Sequence, residues 1–278
     1  MVVTVNGRTM DITMEHERTL GDLLAGLEMW LENAGFSLSG LVVDGERVGL
    51  EAVEAACSRE LAGIEHVDIG ASTWAELMRE ALTETSAALA TLLLQPEEAR
   101  SVAAAWNASA SASFLAGRDG ELHKLVGRTL DGTVHDIEGT TAILTERIRE
   151  IDDPRTALVA FVATLEPMVA RLEGLPLDLQ TGKDSAAAAT LADFAVLGTK
   201  LFRLVPLLRS TGIDMDEVLI DGVGFRLYIE ELGAALKELG AAYEGGDAVL
   251  VGDLAEYELA PRLHSLATTL ERVLAPVA

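Results

Sequence analysis

Ile64-Glu65-His66-Val67-Asp68-Ile69-Gly70-Ala71-Ser72-Thr73 is where the chain changes character. Ile64 to Ile69 reads as a strand, and from Thr73 onward the apolar residues recur at helical spacing and continue to do so. Upstream, Val3 and Val5 point one way, and Met10, Ile12 and Met14 repeat the period-two pattern beyond Asn6-Gly7. Asn-Gly tolerates the positive φ values of a tight hairpin, so this stretch is expected to be one. A helix follows: Thr19 caps it with Asp22 three positions on, and Leu20, Leu23, Leu24, Leu27, Trp30 and Leu31 form one apolar face before Gly35 stops it. That face is expected to cover the hairpin. Leu38–Val43 then reads as a strand, Asp44-Gly45 as a turn and Arg47-Val48 as a short return, followed by a polar helix near 51–59.

Downstream, the periodicity predicts helices near 73–94, 96–116, 119–151, 154–173, 184–211, 214–243 and 248–275. Ser72 or Thr73 begins the first, Pro96 suits a first turn, and Asp119, Asp153, Asp184 and Asp214 stand at N-cap positions. The uncharged run Ser101–Gly117 is too short and too polar for a bilayer span and reads as a buried helix of small residues. In the third helix Leu122, Val126, Leu130, Val134, Ile137, Leu144 and Ile148 fall at steps of three and four. Unbroken, that helix would be about 50 Å long, a hint of an extended shape or a self-association surface. Its Gly127, Gly132 and Gly139 mark either close helix contact or a break. Pro167, Pro206 and Pro261 predict kinks or divisions in later helices. The fold class is therefore α+β: a small sheet-bearing module over 1–72 and a mainly α-helical bundle or array over 73–278.

Composition bounds the function. The 278 residues contain 21 Lys and Arg against 45 Asp and Glu, a formal charge of -24, and 49% are hydrophobic. That is ample for a core, and repulsion from phosphates argues against nucleic acid and anionic membranes as partners. The imbalance is general: residues 1–73 carry four basic and 13 acidic residues, leaving 17 and 32 for the rest. Such an imbalance reads first as a solvated acidic surface, with a basic protein partner as the sharper alternative. Cys57 is the single cysteine, so no intrachain disulfide forms, and Met-Val-Val-Thr-Val at the start lacks the features of a secretory signal. A cytoplasmic location is expected.

The order of two strands, helix, two strands and a final strand resembles the ubiquitin-like β-grasp fold, over roughly 70 of the 278 residues. Sulfur-carrier and conjugating members of that fold activate a free C-terminal Gly-Gly. Here the module runs on through Gly70-Ala71-Ser72, the chain ends Pro-Val-Ala, and Gly245-Gly246 is internal. The resemblance thus implies a recognition or packing module without carrier chemistry. Two phrases, Leu179–Asp184 and Asp253–Pro261, look like segments of uncharacterised bacterial helical proteins. The first reads as a polar turn. The second places Leu254, Tyr257 and Pro261 on one helical face suited to a helix seam.

Candidate chemistry is sparse. Gly182-Lys183-Asp184 departs twice from a phosphate-binding loop, with Leu177 where the first glycine belongs and an acid after the lysine; Asp184 is better read as a cap. Gly222-Val223-Gly224 lacks the third glycine of a dinucleotide fingerprint, since position 227 is Leu. His135 and Glu138 share a helical face at i,i+3, which could supply two metal ligands, but the repeated Glu-x-x-His pairs of a di-metal bundle are absent. No nucleophile elbow exists, and Cys57 has no recognisable base. No cofactor is predicted. His135, Glu138 and Lys183 remain the polar candidates. The leading expectation is a non-enzymatic interaction, adaptor or scaffold protein that binds a protein partner or itself, as in a homodimer. The alternative is a ligand-binding or enzymatic helical bundle with a site built from dispersed polar residues.

Overall fold

The computed structural model describes residues 1–11, 17–49, 52–211, 213 and 215–275. Its contacts divide the chain into two compact units, Met1–Thr145 and Glu146–Ala278. Ile12, Met14 and Asp214, to which the sequence assigned strand and cap roles, lie outside the described residues.

The first unit begins with a hairpin of β1 (Val2–Val5) and β2 (Arg8–Thr9). Asn6 and Gly7 turn it with φ of 50° and 73°, as a primed two-residue turn requires. Next come α1 (Leu20–Asn33), β3 (Phe36–Val43), β4 (Glu46–Arg47), α2 (Val53–Cys57) and β5 (His66–Thr73). The five strands form one mixed sheet in the order β2-β1-β5-β3-β4, in which β5 runs parallel to β1 and antiparallel to β3. On β5 the alternation is clean: Val67, Ile69 and Ala71 are buried with Val3, Leu41 and Val43 against Leu20, Leu23, Leu24, Leu27 and Leu31 of α1. Thr19 and Asp22 form the predicted capping box.

Trp30 departs from expectation, being 50% exposed. The five leucines already fill an arc of about 100° around the helix, and Trp30 falls just outside it. The pairing of β3 with β5 slips between Leu38 and Gly40, where two backbones meet closely. A Cβ on Gly70 would stand 3.1 Å from the amide nitrogen of Gly40, so any side chain there would push the two backbones apart by a few tenths of an ångström.

Thr73 closes β5 and at once caps α3 (Trp74–Leu94) in a second capping box with Glu76. A 3-10 turn at Pro96–Glu98 leads to α4 (Ala99–Asn107), α5 (Ala110–Arg118), α6 (Gly120–Leu130) and α7 (Ile137–Asp152). Two long helices predicted from sequence are thus each divided. Ser109 ends the first run by accepting a hydrogen bond from the amide of Ala112, capping α5. Ser101–Gly117 is also not a buried helix: Trp106, Ser111, Ala112 and Leu115 turn inward, and most of its small residues face outward. The 33-residue helix does not exist because Gly132 adopts φ +79° and breaks it. A Cβ on Gly127 would meet only Trp106, at an ordinary 4.0 Å, so no close contact requires this glycine, whereas Gly139 leaves room for the Asp136 carboxylate that caps α7.

Beyond Thr145 the second unit contains the end of α7, then α8 (Pro154–Val162), α9 (Leu165–Gln180) and α10 (Asp184–Leu204). A 3-10 segment, Val205–Thr211, and a short turn, Met215–Glu217, precede the hairpin of β6 (Leu219–Ile220) and β7 (Val223–Gly224). The chain ends in α11 (Phe225–Glu244), α12 (Ala248–Asp253), a π-helical segment Leu254–Leu259 and α13 (Ala260–Leu274). The predicted helix over 214–243 therefore starts only at Phe225, because Asp221-Gly222 takes positive φ and turns a hairpin. That turn is also what Gly222-Val223-Gly224 is for.

Asp119 and Asp153 cap their helices through side-chain bonds, but Asp184 is the first residue of α10 rather than its cap. Pro167 lies in the first turn of α9, Pro206 in the 3-10 segment, and Pro261 just after the π segment. There the widened turn separates the proline ring from the carbonyl that an α-turn would press against it. The same widening corrects the predicted seam: Leu254, Ala255 and Leu259 are buried, while Tyr257 is 67% exposed.

Candidate functional site

The break that ends α6 builds one wall of an open groove in the first unit. Asp131 accepts a hydrogen bond from the amide of Thr133 at 2.8 Å, and the Val134 amide donates back to the Arg128 carbonyl at 2.8 Å. These bonds fold residues 131–136 into a compact turn. Asp136 then accepts from the Gly139 amide at 2.7 Å, starting α7. Thr129 and Thr140, both buried, join α6 to α7 through their hydroxyls at 3.0 Å. The carboxyl of Asp131 is held below the usual aspartate range, first by the Thr133 hydroxyl and then by its amide, so it stays charged at neutral pH.

Against this turn lie the end of α3, the Pro96 turn and α4, leaving a groove of about 470 Å³. Its walls come from Leu92, Leu93, Pro96, Ala103, Leu130, Val134 and Ile137, with Arg100, Asp131 and His135 as the polar lining. Leu93 and the adjacent Leu94 are both exposed. The size falls within the range of ligand pockets, yet the surface is open and mainly apolar. It suits the insertion of apolar side chains more than the enclosure of a polar reactant. Behind α4, Trp106 is fixed by its indole N–H donating to Thr85 at 3.0 Å and by the His123 ring stacked 5.2 Å away.

The second unit holds a buried charge cluster that sequence reasoning passed over. Glu150 of α7 is 3% exposed. It receives a two-pronged contact from Arg203 of α10, 2.7 Å from Nε and 3.0 Å from a terminal nitrogen. Lys200 reaches Glu150 at 3.3 Å and Glu146 at 2.6 Å. The Glu146 carboxyl is held below the usual glutamate range, chiefly by the hydrogen bond from Lys200. Burial alone would lower the Lys200 pKa, but Glu146 and Glu150 outweigh it and raise it. Both oxygens of Glu150 are engaged, so the cluster is a clamp between helices rather than a receptor for ligand. Its signal was the matched i,i+4 acids in α7 and i,i+3 bases in α10, lost among many acidic pairs.

His135 lines the groove, but from the turn before α7; the helical face that it was expected to share with Glu138 does not exist. Glu138 is exposed in the first turn of α7 and does not line the groove. Lys183 belongs to the second unit, where it pairs with Asp178 at 3.0 Å across the α9–α10 turn. Among the described residues no three His, Cys, Asp or Glu side chains converge to hold a metal.

The chain is thus an α+β protein with a small mixed sheet and a predominantly helical remainder. Residues 1–73 match the family described as TP0873 N-terminal domain, and residues 157–269 match a domain of unknown function, DUF8042. An uncharacterized protein of Treponema pallidum (strain Nichols) is 26% identical over 268 residues, covering 96% of this chain and 94% of its own length. No solved structure matches. These descriptions assign no biochemical activity. The groove, lined by residues between Leu92 and Ile137, lies outside both matched segments.

Proposed function

We propose that this chain is a non-enzymatic adaptor that binds an apolar segment of a protein partner in the groove of its first unit. The observation that carries the reading is the groove itself, about 470 Å³ and walled chiefly by apolar side chains, with Leu93 exposed in its lining. Exposed contiguous apolar surface of this kind marks interaction sites. The strand order β2-β1-β5-β3-β4 with its parallel β1–β5 pair supports reading the first 72 residues as a β-grasp-like recognition module. A cytoplasmic setting agrees with a single, unpaired cysteine. Among the described residues no helix is long and apolar enough to cross a membrane.

The test is affinity capture from native lysate with the full-length chain and, in parallel, its Ala103→Glu variant, which places a charge in the groove wall. Proteins retained by the first and lost by the second are expected, with unchanged circular dichroism. Absence of any groove-dependent protein overturns the adaptor reading. A second reading rests on Arg100 and His135 lining the same groove: a small apolar acid held by the Arg100 guanidinium and a hydrogen bond from the His135 ring. Native mass spectrometry separates the two, since a copurifying small molecule lost in His135→Ala would favour the ligand.

A further inference from the structure

We infer that α4 is a displaceable strap: it occupies a seat that a helix of a partner protein takes in its place, docking through one tryptophan. The inference deepens the adaptor reading and rests on it only in taking the occupant to be a segment of another protein. α4 has nine residues, of which Trp106 alone is buried. Its neighbours are held more firmly, α3 by six buried residues and α6 by four. An element with so little buried surface opens before the rest of the fold.

The ends and flanks of α4 agree with this. α3, α5, α6 and α7 each begin on a side-chain cap, whereas Glu98 makes no cap bond to α4. Arg100 adds a cation in the first turn, where the helix dipole favours anions. Ala99 and Ala103 meet the groove, while Val102 and Ala105 line a second hollow of about 320 Å³ that Ala87 and Ala88 of α3 close from the other side. Trp106 falls between these two rows around the helix. α4 therefore rests on one line of contact with open space on both flanks. Among the described residues, the bond from the Trp106 indole to Thr85 is the only side-chain hydrogen bond that ties α4 to another helix.

The seat specifies its occupant, because α4 shows what it accepts. The Trp106 side chain is 3% exposed, donates to Thr85 at 3.0 Å and stacks on His123 at 5.2 Å. One turn earlier, Val102 and Ala103 keep the flanks narrow. A partner helix with one Trp preceded by small residues at i-3 and i-4 presents the same face, the aromatic anchor of helix-in-groove recognition. The tethered strap competes at an effective concentration of about millimolar. The closed chain thus binds such a helix weakly, and a chain with its strap released binds it tightly.

Hydrogen exchange read by mass spectrometry on the full-length chain tests the strap, and a peptide tests the seat. Amides of residues 99–107 should exchange about tenfold or more faster than those of α3 and α6. Thr85→Val takes away the acceptor of the buried indole N–H and should speed α4 by about a further tenfold, with α3 and α6 changed less than about twofold. Thr85→Ser, which keeps the hydroxyl, should leave α4 near its original rate. A labelled peptide of residues Gln95–Ser109 should bind the Trp106→Ala chain about tenfold or more tighter than the unaltered chain by anisotropy, and the peptide carrying Trp106→Ala should bind neither. Exchange of α4 as slow as that of α3, or equal acceleration of all three helices by Thr85→Val, means that α4 opens only with the whole fold and overturns the proposal. A folded Trp106→Ala chain that ignores the peptide overturns it as well; if circular dichroism shows that variant unfolded, the exchange pattern decides. Proteins captured through the groove of a chain whose strap never opens would leave the adaptor reading standing, so the two fail separately.

Discussion

Single residues carry the sharpest energetic consequences where polar groups are buried. Glu150 is held by Arg203 and Lys200 away from water, so Arg203→Ala removes its two-pronged partner, leaves only the 3.3 Å contact from Lys200, and should destabilise the chain by about 2 kcal/mol. Urea unfolding at pH 7 checks this. Glu146 adds a pH dependence with a definite sign. Its folded pKa is depressed, chiefly by the Lys200 hydrogen bond, so its stabilisation is fully present above the unfolded glutamate pKa. It is lost as pH falls through the lower folded value. Lys200→Met should flatten the acid-side slope of stability against pH, measured by denaturation at a series of pH values. Trp106→Phe leaves the buried Thr85 hydroxyl without its indole donor and should cost about 1–3 kcal/mol, read from the thermal transition. The Glu150 and Glu146 ion pairs were not legible in advance, because a chain with 45 acids offers too many equivalent pairs; the Trp106–Thr85 bond joins residues 21 apart with no local signal.

At the scale of elements, local punctuation decided what could be read. Asn6-Gly7, the Thr19 capping box and the caps at Asp119 and Asp153 were visible because the side chain and its target lie within three residues of each other. The Asp221-Gly222 hairpin had the same signal, but helical spacing around it masked strands only two residues long. The α6–α7 break was harder, since Leu130, Val134 and Ile137 keep helical spacing straight through it. They do so because they line one groove, not because they share one helix. His135 was therefore legible as a polar candidate and illegible as part of a cavity. The break can be tested: Gly132→Val forces a β-branched residue into a left-handed conformation and should cost about 1–2 kcal/mol. Asp136→Ala, which uncaps α7, should cost about 1 kcal/mol. Both are read from urea midpoints.

For the whole molecule, hydrophobic periodicity rightly forecast a small sheet followed by helices, because the change from period two to helical spacing survives any uncertainty about ends. Net charge acts at this scale too: self-repulsion vanishes near the sequence pI of about 4.4, where light scattering should show association that neutral pH suppresses. The π segment at Leu254–Leu259 has a different reach, best stated in insertions and deletions. A π-turn closes over five residues where an α-turn closes over four, so this stretch holds a residue in reserve. Deleting Tyr257, with Pro261→Ala to remove the ring clash, should let α geometry close while α13 keeps its buried face against α8 and α9. Deleting Thr268 from within α13 has no such reserve and turns every later side chain by about 100°. Circular dichroism and melting of the two deletions should differ sharply, which makes this one turn a place where the chain can change length without changing fold.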